Sequence, residues 1–320
     1  MEASQITAPG AVYADLRTDF MFKKAFGQKD IMIPFLNDIL GTDKIQDIDY
    51  RNVEQLGFDA EDRKVYYDLY CHCSDGKDFI VEMQRRSQKY YRERMVFYST
   101  YPIQQQYVEA KLKHEETHPV DSFIFDYRLC PLYIISVTDF ILEHDANWPE
   151  DKFVSWYWTT ERETRELYCN TPNYIFIELP RFKKILKRNS ALAEKWAYVF
   201  NNLAELKAVP DELNEKYFRK LFETAKIVNF TAAEQVSYVK DQQMKYDYEN
   251  VMAYAVEQAA EKAAAKGLAE GEAKGKAEGL AEGEAKGKLE TAKNMLVKGF
   301  EISVISEITG LSETELSALS

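Results

Sequence analysis

Two strand-forming runs near residue 75 constrain the fold most, because each carries a carboxylate where a strand normally places an apolar side chain. The runs lie in YYDLYCHCSDGKDFIVEMQRR, residues 66–86, and a Ser-Asp-Gly-Lys turn joins them. Alternate residues of a strand point to opposite faces of a sheet. Asp68 therefore shares a face with His72. By the same rule Glu82 shares a face with Gln84.

The length of the turn decides whether Asp68 and Glu82 meet. A two-residue Asp-Gly loop would pair residues whose numbers sum to 151, and Asp68 would then lie opposite Met83, on the wrong face. A loop of three or five residues, or a bulge, makes the sum even and sets Asp68 opposite Glu82 or Gln84. We therefore predict such an irregularity in this hairpin.

The other periodic segments predict an α/β or α+β core with additions. A helical pattern runs from Arg17 to about Leu40, where Pro34 is expected to split it into two helices and Gly41 to end it. Strands are predicted at 49–58, 64–73, 78–84, 129–142, 152–160 and 173–182, and helices at 87–113 and from 186 onward.

Composition limits the class of protein. The chain has 320 residues, 46% of them hydrophobic, which is enough for about two domains with a sizeable core. No apolar run reaches the roughly 18 residues that a membrane span needs, and the N-terminus has no secretory pattern. The four cysteines are too scattered for a disulfide framework. We therefore expect a cytoplasmic protein that has no membrane partner.

The net charge of −12 argues against a general basic coat for nucleic acid. Two segments are nevertheless basic. Residues 84–113 hold seven Lys and Arg against two Glu, and residues 181–195 hold six against one. These segments are either solvated helix faces or local contacts for phosphate.

A glycine recurs every fourth residue in the repeat 267–278 and 279–290. Ala, Glu and Lys favour a helix, whereas each Gly costs about 0.8–1.0 kcal/mol relative to Ala. The segment is either a mobile helical spacer or a helix that another helix approaches closely, and we expect a spacer that self-associates into a homo-oligomer. The predicted domains are 1–230, 231–290 and 291–320.

The C-terminal unit 291–320 has the spacing of a two-helix piece of a helix-turn-helix. Ser312 and Glu315 form a capping box for its last helix. Such pieces pack or dimerise more often than they read DNA, and this one is acidic.

Asp68 and Glu82 repel each other if both are ionised, so a cation is needed to keep both charged. Mg²⁺ or Mn²⁺ is the natural partner, because these hard ions take carboxylate oxygen and water. The alternative is that both acids lie on the half-exposed polar face of an ordinary antiparallel hairpin.

The pattern of Asp68, Glu82 and Gln84 resembles the PD-(D/E)XK nuclease motif, with Gln84 where Lys is usual. Further segments are similar, in the same order, to the Rpn (recombination-promoting nuclease) family, which is also described as PD-(D/E)XK nuclease family transposases. These segments are TDFMFKKAFG, FLNDIL, VEMQRR, RMVFYSTYPIQQQ, PLYIISVTDFIL and IFIELPRF, and the tail LVKGFEISVISEITGLSETELSAL is also similar.

The resemblance implies a restriction-endonuclease-like αβββαβ core with added strands and helices, followed by a long C-terminal helical segment. It also implies a DNA endonuclease linked to mobile elements or recombination. Asp68 and Glu82 would bind Mg²⁺ or Mn²⁺, Gln84 would orient water or substrate, and Asp19 would reach the site from the first helix. The alternative is a catalytically degenerate member of the family that acts as an oligomeric DNA- or protein-interaction protein.

Double-stranded DNA is the implied partner, and the basic residues after the motif are its expected contacts. Arginine contacts to phosphate position DNA without reading its sequence. The candidates are Arg85, Arg86, Arg92, Arg94 and Lys23. Arg94 is also expected to support the site together with Tyr98.

Overall fold

The computed structural model describes residues 10–55, 65–118 and 122–319 and confirms the α/β class. The chain divides into two compact units, Met1–Lys245 and Tyr246–Ser320. Among the described residues, no helix is both long enough and apolar enough to span a bilayer. The end of the first predicted strand, 56–58, lies outside the described residues, and the predicted domain limits at 230 and 290 stay predictions.

A mixed six-stranded sheet organises the first unit. The strands are β1 (Ile48–Tyr50), β2 (Glu54–Gln55), β3 (Val65–Tyr66), β4 (Leu69–Cys73), β5 (Asp78–Gln84), β6 (Leu132–Thr138), β7 (Val154–Thr160) and β8 (Leu167–Glu178). The sheet order is β1-β4-β5-β6-β8-β7, and β2 pairs with β3 separately. Because β5, β6 and β8 are parallel, their carboxyl ends lie at one edge of the sheet.

The helices are α1 (Asp19–Phe26), α2 (Lys29–Leu40), α3 (Tyr91–Thr117), α4 (Leu192–Asn202), α5 (Lys216–Ala225), α6 (Ala232–Val297), α7 (Ile302–Thr309) and α8 (Glu313–Ser317). The elements that carry the site run in the order α1, α2, β1, β4, β5, α3 and β6. This order agrees with the αβββαβ core that the resemblance implied.

Two hydrophobic cores form on opposite faces of the sheet. The larger core combines Phe79 and Val81 of β5 with apolar side chains of α1, α2, α4 and α5. The smaller core combines Ile80 with side chains of α3 such as Tyr91 and Met95. Because successive side chains of β5 point to opposite faces, one face of the sheet packs against α1, α2, α4 and α5 and the other packs against α3.

The expected helix break at Pro34 is wrong, because Pro34 lies inside α2. The break comes earlier, after α1 ends at Phe26 and is capped by Gly27. A Cβ atom at Gly27 would lie 2.5 Å from the carbonyl oxygen of Lys23, so only glycine fits there. The predicted stop at Gly41 is confirmed, and its φ of 63° is left-handed.

In the second unit, the repeat lies within the long helix α6 and has no apolar core of its own. Every residue from 261 to 291 is exposed. A small core follows, in which Ala292, Ile305 and Leu316 are fully buried. The capping box predicted for the last helix is confirmed at Ser312, whose side chain accepts a hydrogen bond from the backbone of Glu315.

Candidate active site

The hairpin between β4 and β5 has the predicted irregular register. Leu69 pairs with Val81. The N–H of Cys73 donates to the carbonyl of Lys77 at 2.8 Å, which leaves a loop of three residues. The residue numbers of each pair sum to 150, so Asp68 reaches the level of Glu82.

The second strand is not continuous, although the sequence predicted one strand over 64–73. The chain bends between β3 and β4, at Tyr67 and Asp68. Tyr67 consequently enters the smaller core beneath α3 instead of the larger core with Leu69. The phenol of Tyr67 donates to the carbonyl of Tyr98 at 3.0 Å, which fixes the bend against α3.

The bend lets Asp68 and Glu82 hold each other through the backbone. The N–H of Asp68 donates to Oε1 of Glu82 at 3.1 Å. In return, Oδ2 of Asp68 accepts from the N–H of Met83 at 2.8 Å. Glu82 is almost fully buried, whereas the side chain of Asp68 is 22% exposed. The two carboxylates therefore form a fixed pair that is open on the Asp68 side.

Both carboxyls of this pair resist ionisation. Burial raises the pKa of Asp68 to about 6, although the Met83 N–H and the charge of Lys23 act in the opposite direction. Burial and the neighbouring charge of Asp68 raise the pKa of Glu82 well above its ordinary value. Two acids with raised pKa values, placed side by side, are typical of a site built for a cation or a proton.

Two protein cations approach the pair from opposite helices. On α1, Nζ of Lys23 lies 3.8 Å from Oδ1 of Asp68 and 2.6 Å from Oδ1 of Asp19. On α3, the charge of Arg94 opposes the rise in the pKa of both carboxyls, and its guanidinium donates to the Tyr98 hydroxyl. Burial opposes the charge on Lys23, but the hydrogen bond and charge of Asp19 raise its pKa overall.

The other predicted site residues lie around this centre with partners of their own. The Gln84 amide donates to the carbonyl of Arg86 at 2.9 Å. Arg85 pairs with the buried Asp15 at 3.5 Å, and Arg86 donates to the carbonyl of Met244 at 3.1 Å.

Arg92 turns away from the pair. It contacts Nδ1 of His144 at 3.1 Å and lies over the ring of Tyr157. The structure thus brings Asp19 and Lys23 close to the carboxylate pair, lets the charge of Arg94 act on it, and gives Arg92 a different environment.

Sequence reasoning missed two buried polar groups, one beside the pair on β6 and one further along the sheet on β8. Ser136 is the register partner of Glu82 on β6, and it shares a hydrogen bond with the hydroxyl of Tyr91. The fully buried Glu178 binds Nε2 of His144 at 2.7 Å and Nε of Arg181 at 3.1 Å. An acid inside the apolar run IFIELP is the same signal that singled out Glu82, so Glu178 could have been found.

Asp68 and Glu82 fit a divalent metal by their chemistry. In the described part of the chain, no three His, Cys, Asp or Glu side chains form a metal-binding group. Mg²⁺ and Mn²⁺ need only one or two carboxylates, because waters complete their coordination. The raised pKa values of the pair indicate that a cation there would relieve an unfavourable charge.

Comparison with known families identifies the family of the chain. Residues 16–255, three quarters of the chain, match the PD-(D/E)XK nuclease family transposases. Residues 285–320 match the C-terminal helix-turn-helix domain of the Rpn/YhgA-like nuclease family. Comparisons with curated proteins and with solved structures find no match. The chain therefore belongs to the PD-(D/E)XK nuclease family transposases and carries an Rpn-type C-terminal domain.

Proposed function

We propose that this protein is a metal-dependent endonuclease that hydrolyses phosphodiester bonds of double-stranded DNA. The observation that carries the proposal is the reciprocal pairing of Asp68 and Glu82 across a hairpin whose register brings the acids together. Family membership supports a nuclease in general. A link to mobile elements or recombination follows from the same family, and the four free cysteines are compatible with a reducing cytoplasm.

In this proposal Asp68 and Glu82 hold Mg²⁺ or Mn²⁺. A divalent ion held by these two carboxylates would make a water easier to deprotonate and would offset charge that develops on a phosphate oxygen. A water oxygen attacks phosphorus while the ester P–O bond breaks. The departing oxygen takes up a proton and becomes a hydroxyl, and the attacking water releases its proton to solvent.

The remaining residues would prepare the substrate. Gln84, at the end of β5, would accept a hydrogen bond from the attacking water through its amide oxygen. Asp19 would hold Lys23 at the site, since their side chains are 2.6 Å apart.

DNA would be positioned by the basic residues that follow the motif. Arg94 is the best supported phosphate contact, because its charge already acts on both carboxyls. All four arginines would first have to exchange partners, because Arg85, Arg86 and Arg92 hold partners in the protein and Arg94 donates to Gln88 and Tyr98. The C-terminal helix-turn-helix domain would add a second DNA contact.

Cleavage of supercoiled plasmid at low salt tests the proposal. We expect nicking by the wild type with Mg²⁺ or Mn²⁺, and none with EDTA. Glu82→Gln and Asp68→Asn should abolish nicking while the fold is retained. Asp75→Asn is the matched control, because Asp75 is an acid of the same hairpin that pairs with Lys77 in the turn. Nicking that survives in both site variants would refute the assignment.

A second candidate, an oligomeric interaction protein without catalysis, is favoured by the repeat. Within α6, a Cβ built at any of the six repeat glycines meets no atom within 4 Å apart from the neighbouring backbone of the helix itself, so there is open space beside this surface for another helix. Isolated helices gain little stability in water, which favours a partner. Sedimentation of the full chain tests the proposed homo-oligomer. A chain that remains monomeric at about 100 times the protein concentration used in the cleavage assay would refute it.

A further inference from the structure

The candidate site lacks the lysine of the general nuclease motif, since Gln84 occupies that position on β5. An amide carries no charge, and here it donates to the carbonyl of Arg86. A positive group nevertheless lies at the carboxylate pair. It is the ammonium of Lys23, which comes from α1 and not from the hairpin.

The position of Lys23 is fixed by the local structure of α1. Thr18 caps the helix, and four of its eight residues are buried in the larger core. The N–H of Phe20 donates to Asp241 at 2.6 Å, which anchors the first turn. The neighbouring Lys24 pairs with Glu234 on α6 instead. One of two adjacent lysines is thus directed to the site and the other away from it.

A surface ion pair alone would be the simplest explanation of Asp19 and Lys23, since acids and bases four residues apart on a helix often pair. Such a pair needs no third partner. Here Nζ of Lys23 also faces Oδ1 of Asp68, the oxygen that the Met83 N–H leaves free. The side chain is 43% exposed, so it can still reach a substrate.

We propose that Lys23 is a catalytic residue, and that it supplies from α1 the positive charge that the strand lysine supplies in the general motif. The inference rests on the proposed nuclease function. In the reaction, the Lys23 ammonium donates a hydrogen bond to a non-bridging phosphate oxygen as negative charge builds on it. Asp19 is a positioning residue, because it holds the ammonium from the solvent side.

Four variants test the role of Lys23: Lys23→Gln, Lys23→Arg, the double variant Lys23→Gln/Gln84→Lys, and the matched control Lys24→Gln. With DNA and Mn²⁺ saturating, Lys23→Gln should lower the cleavage rate by about 100-fold, as loss of one donor to a developing anion does. Lys23→Arg should retain most of the rate. The double variant should recover at least tenfold, because the charge returns from the strand, and Lys24→Gln should stay within twofold of wild type.

Mn²⁺ binding and DNA binding provide readouts that do not depend on turnover. At a pH high enough to ionise both carboxyls, Lys23→Gln should bind Mn²⁺ at least as tightly as the wild type, because a nearby like charge is removed; nearer pH 6 the loss of Lys23 also raises the carboxyl pKa values and opposes this gain. In metal-free buffer, Lys23→Gln should lose at most one phosphate contact with DNA. The slope of log K for DNA binding against log[salt] should therefore become shallower by no more than about 0.9.

Several results would overturn the inference. If the wild type cleaves DNA, and Lys23→Gln cleaves saturating DNA at the same rate, then Lys23 is a DNA contact and not a catalytic residue. Loss of Mn²⁺ binding in Lys23→Gln would reduce it to a structural residue of the pair. If the wild type fails to cleave with either metal, the proposed function fails and the inference fails with it.

Discussion

Replacing Asp68 by asparagine should stabilise the metal-free protein, even though it removes a residue proposed for catalysis. The asparagine side chain keeps an oxygen that can accept the Met83 N–H, so the bond now measured at 2.8 Å can survive. What disappears is a carboxylate held beside Glu82 in a largely buried site. The structure therefore predicts a gain in the free energy of unfolding.

The size of the gain follows from the pKa of Asp68, which rises from 3.8 to about 6 on folding. A pKa difference of one corresponds to about 1.36 kcal/mol, so an ionised Asp68 disfavours the fold by about 3 kcal/mol at pH 7. The folded state holds its proton more tightly than the unfolded state does. The stability that protonated Asp68 contributes is therefore fully present below about pH 4 and is lost as the pH rises through about 6.

Urea denaturation of both proteins in EDTA, from pH 4 to pH 7, measures this effect. We expect a difference of less than about 1 kcal/mol between Asp68→Asn and the wild type at pH 4, and a gain of about 2–3 kcal/mol for the variant at pH 7. Adding Mn²⁺ at pH 7 should stabilise the wild type and leave the variant unchanged. An equal gain at both pH values, or a loss at pH 7, would refute the reasoning.

Three further predictions concern the elements that hold the site. Phe26→Ala should cost about 3–5 kcal/mol of unfolding free energy by urea titration, because Phe26 is fully buried against Phe200 and Trp196; a loss below about 1 kcal/mol would contradict its place in the core. Thr18→Ala should cost about 1 kcal/mol in the same assay through loss of the cap on Met21, and Thr18→Ser should restore most of it. Arg94→Gln should raise the pKa of Asp68 and Glu82 further. Calorimetric titration with Mn²⁺ should therefore show the largest loss of affinity at pH 6. A loss that does not depend on pH would show that the charge of Arg94 is not responsible.

When applied to the sequence, local rules predicted the features that depend only on neighbouring residues. The alternation of β5, the helix stop at Gly41 and the capping box at Ser312 all follow from short-range geometry. The parity argument for the hairpin was equally local, because a turn of fixed length sets the register of both strands. It therefore identified the meeting of Asp68 and Glu82.

Features that depend on distant packing could not be predicted in this way. Pro34 looked like a break, but burial of α2 along its length keeps the helix whole through the proline. Tyr67 lies on the α3 side of the sheet, and not on the side of Leu69, because its hydroxyl donates to the carbonyl of Tyr98 on α3. The approach of Lys23 to Asp68 requires α1 to pack beside a hairpin that lies more than 40 residues further along the chain, and no periodicity records that contact.

The three-residue turn after β4 limits which changes of length the hairpin can accept. Inserting or deleting one residue among 74–76 would shift the pairing of the strands by one and carry Asp68 to the opposite face from Glu82. Every acid of the motif would still be present after such a change, but Asp68 and Glu82 could no longer meet. The proposed site therefore depends on the length of this turn as much as on the acids themselves.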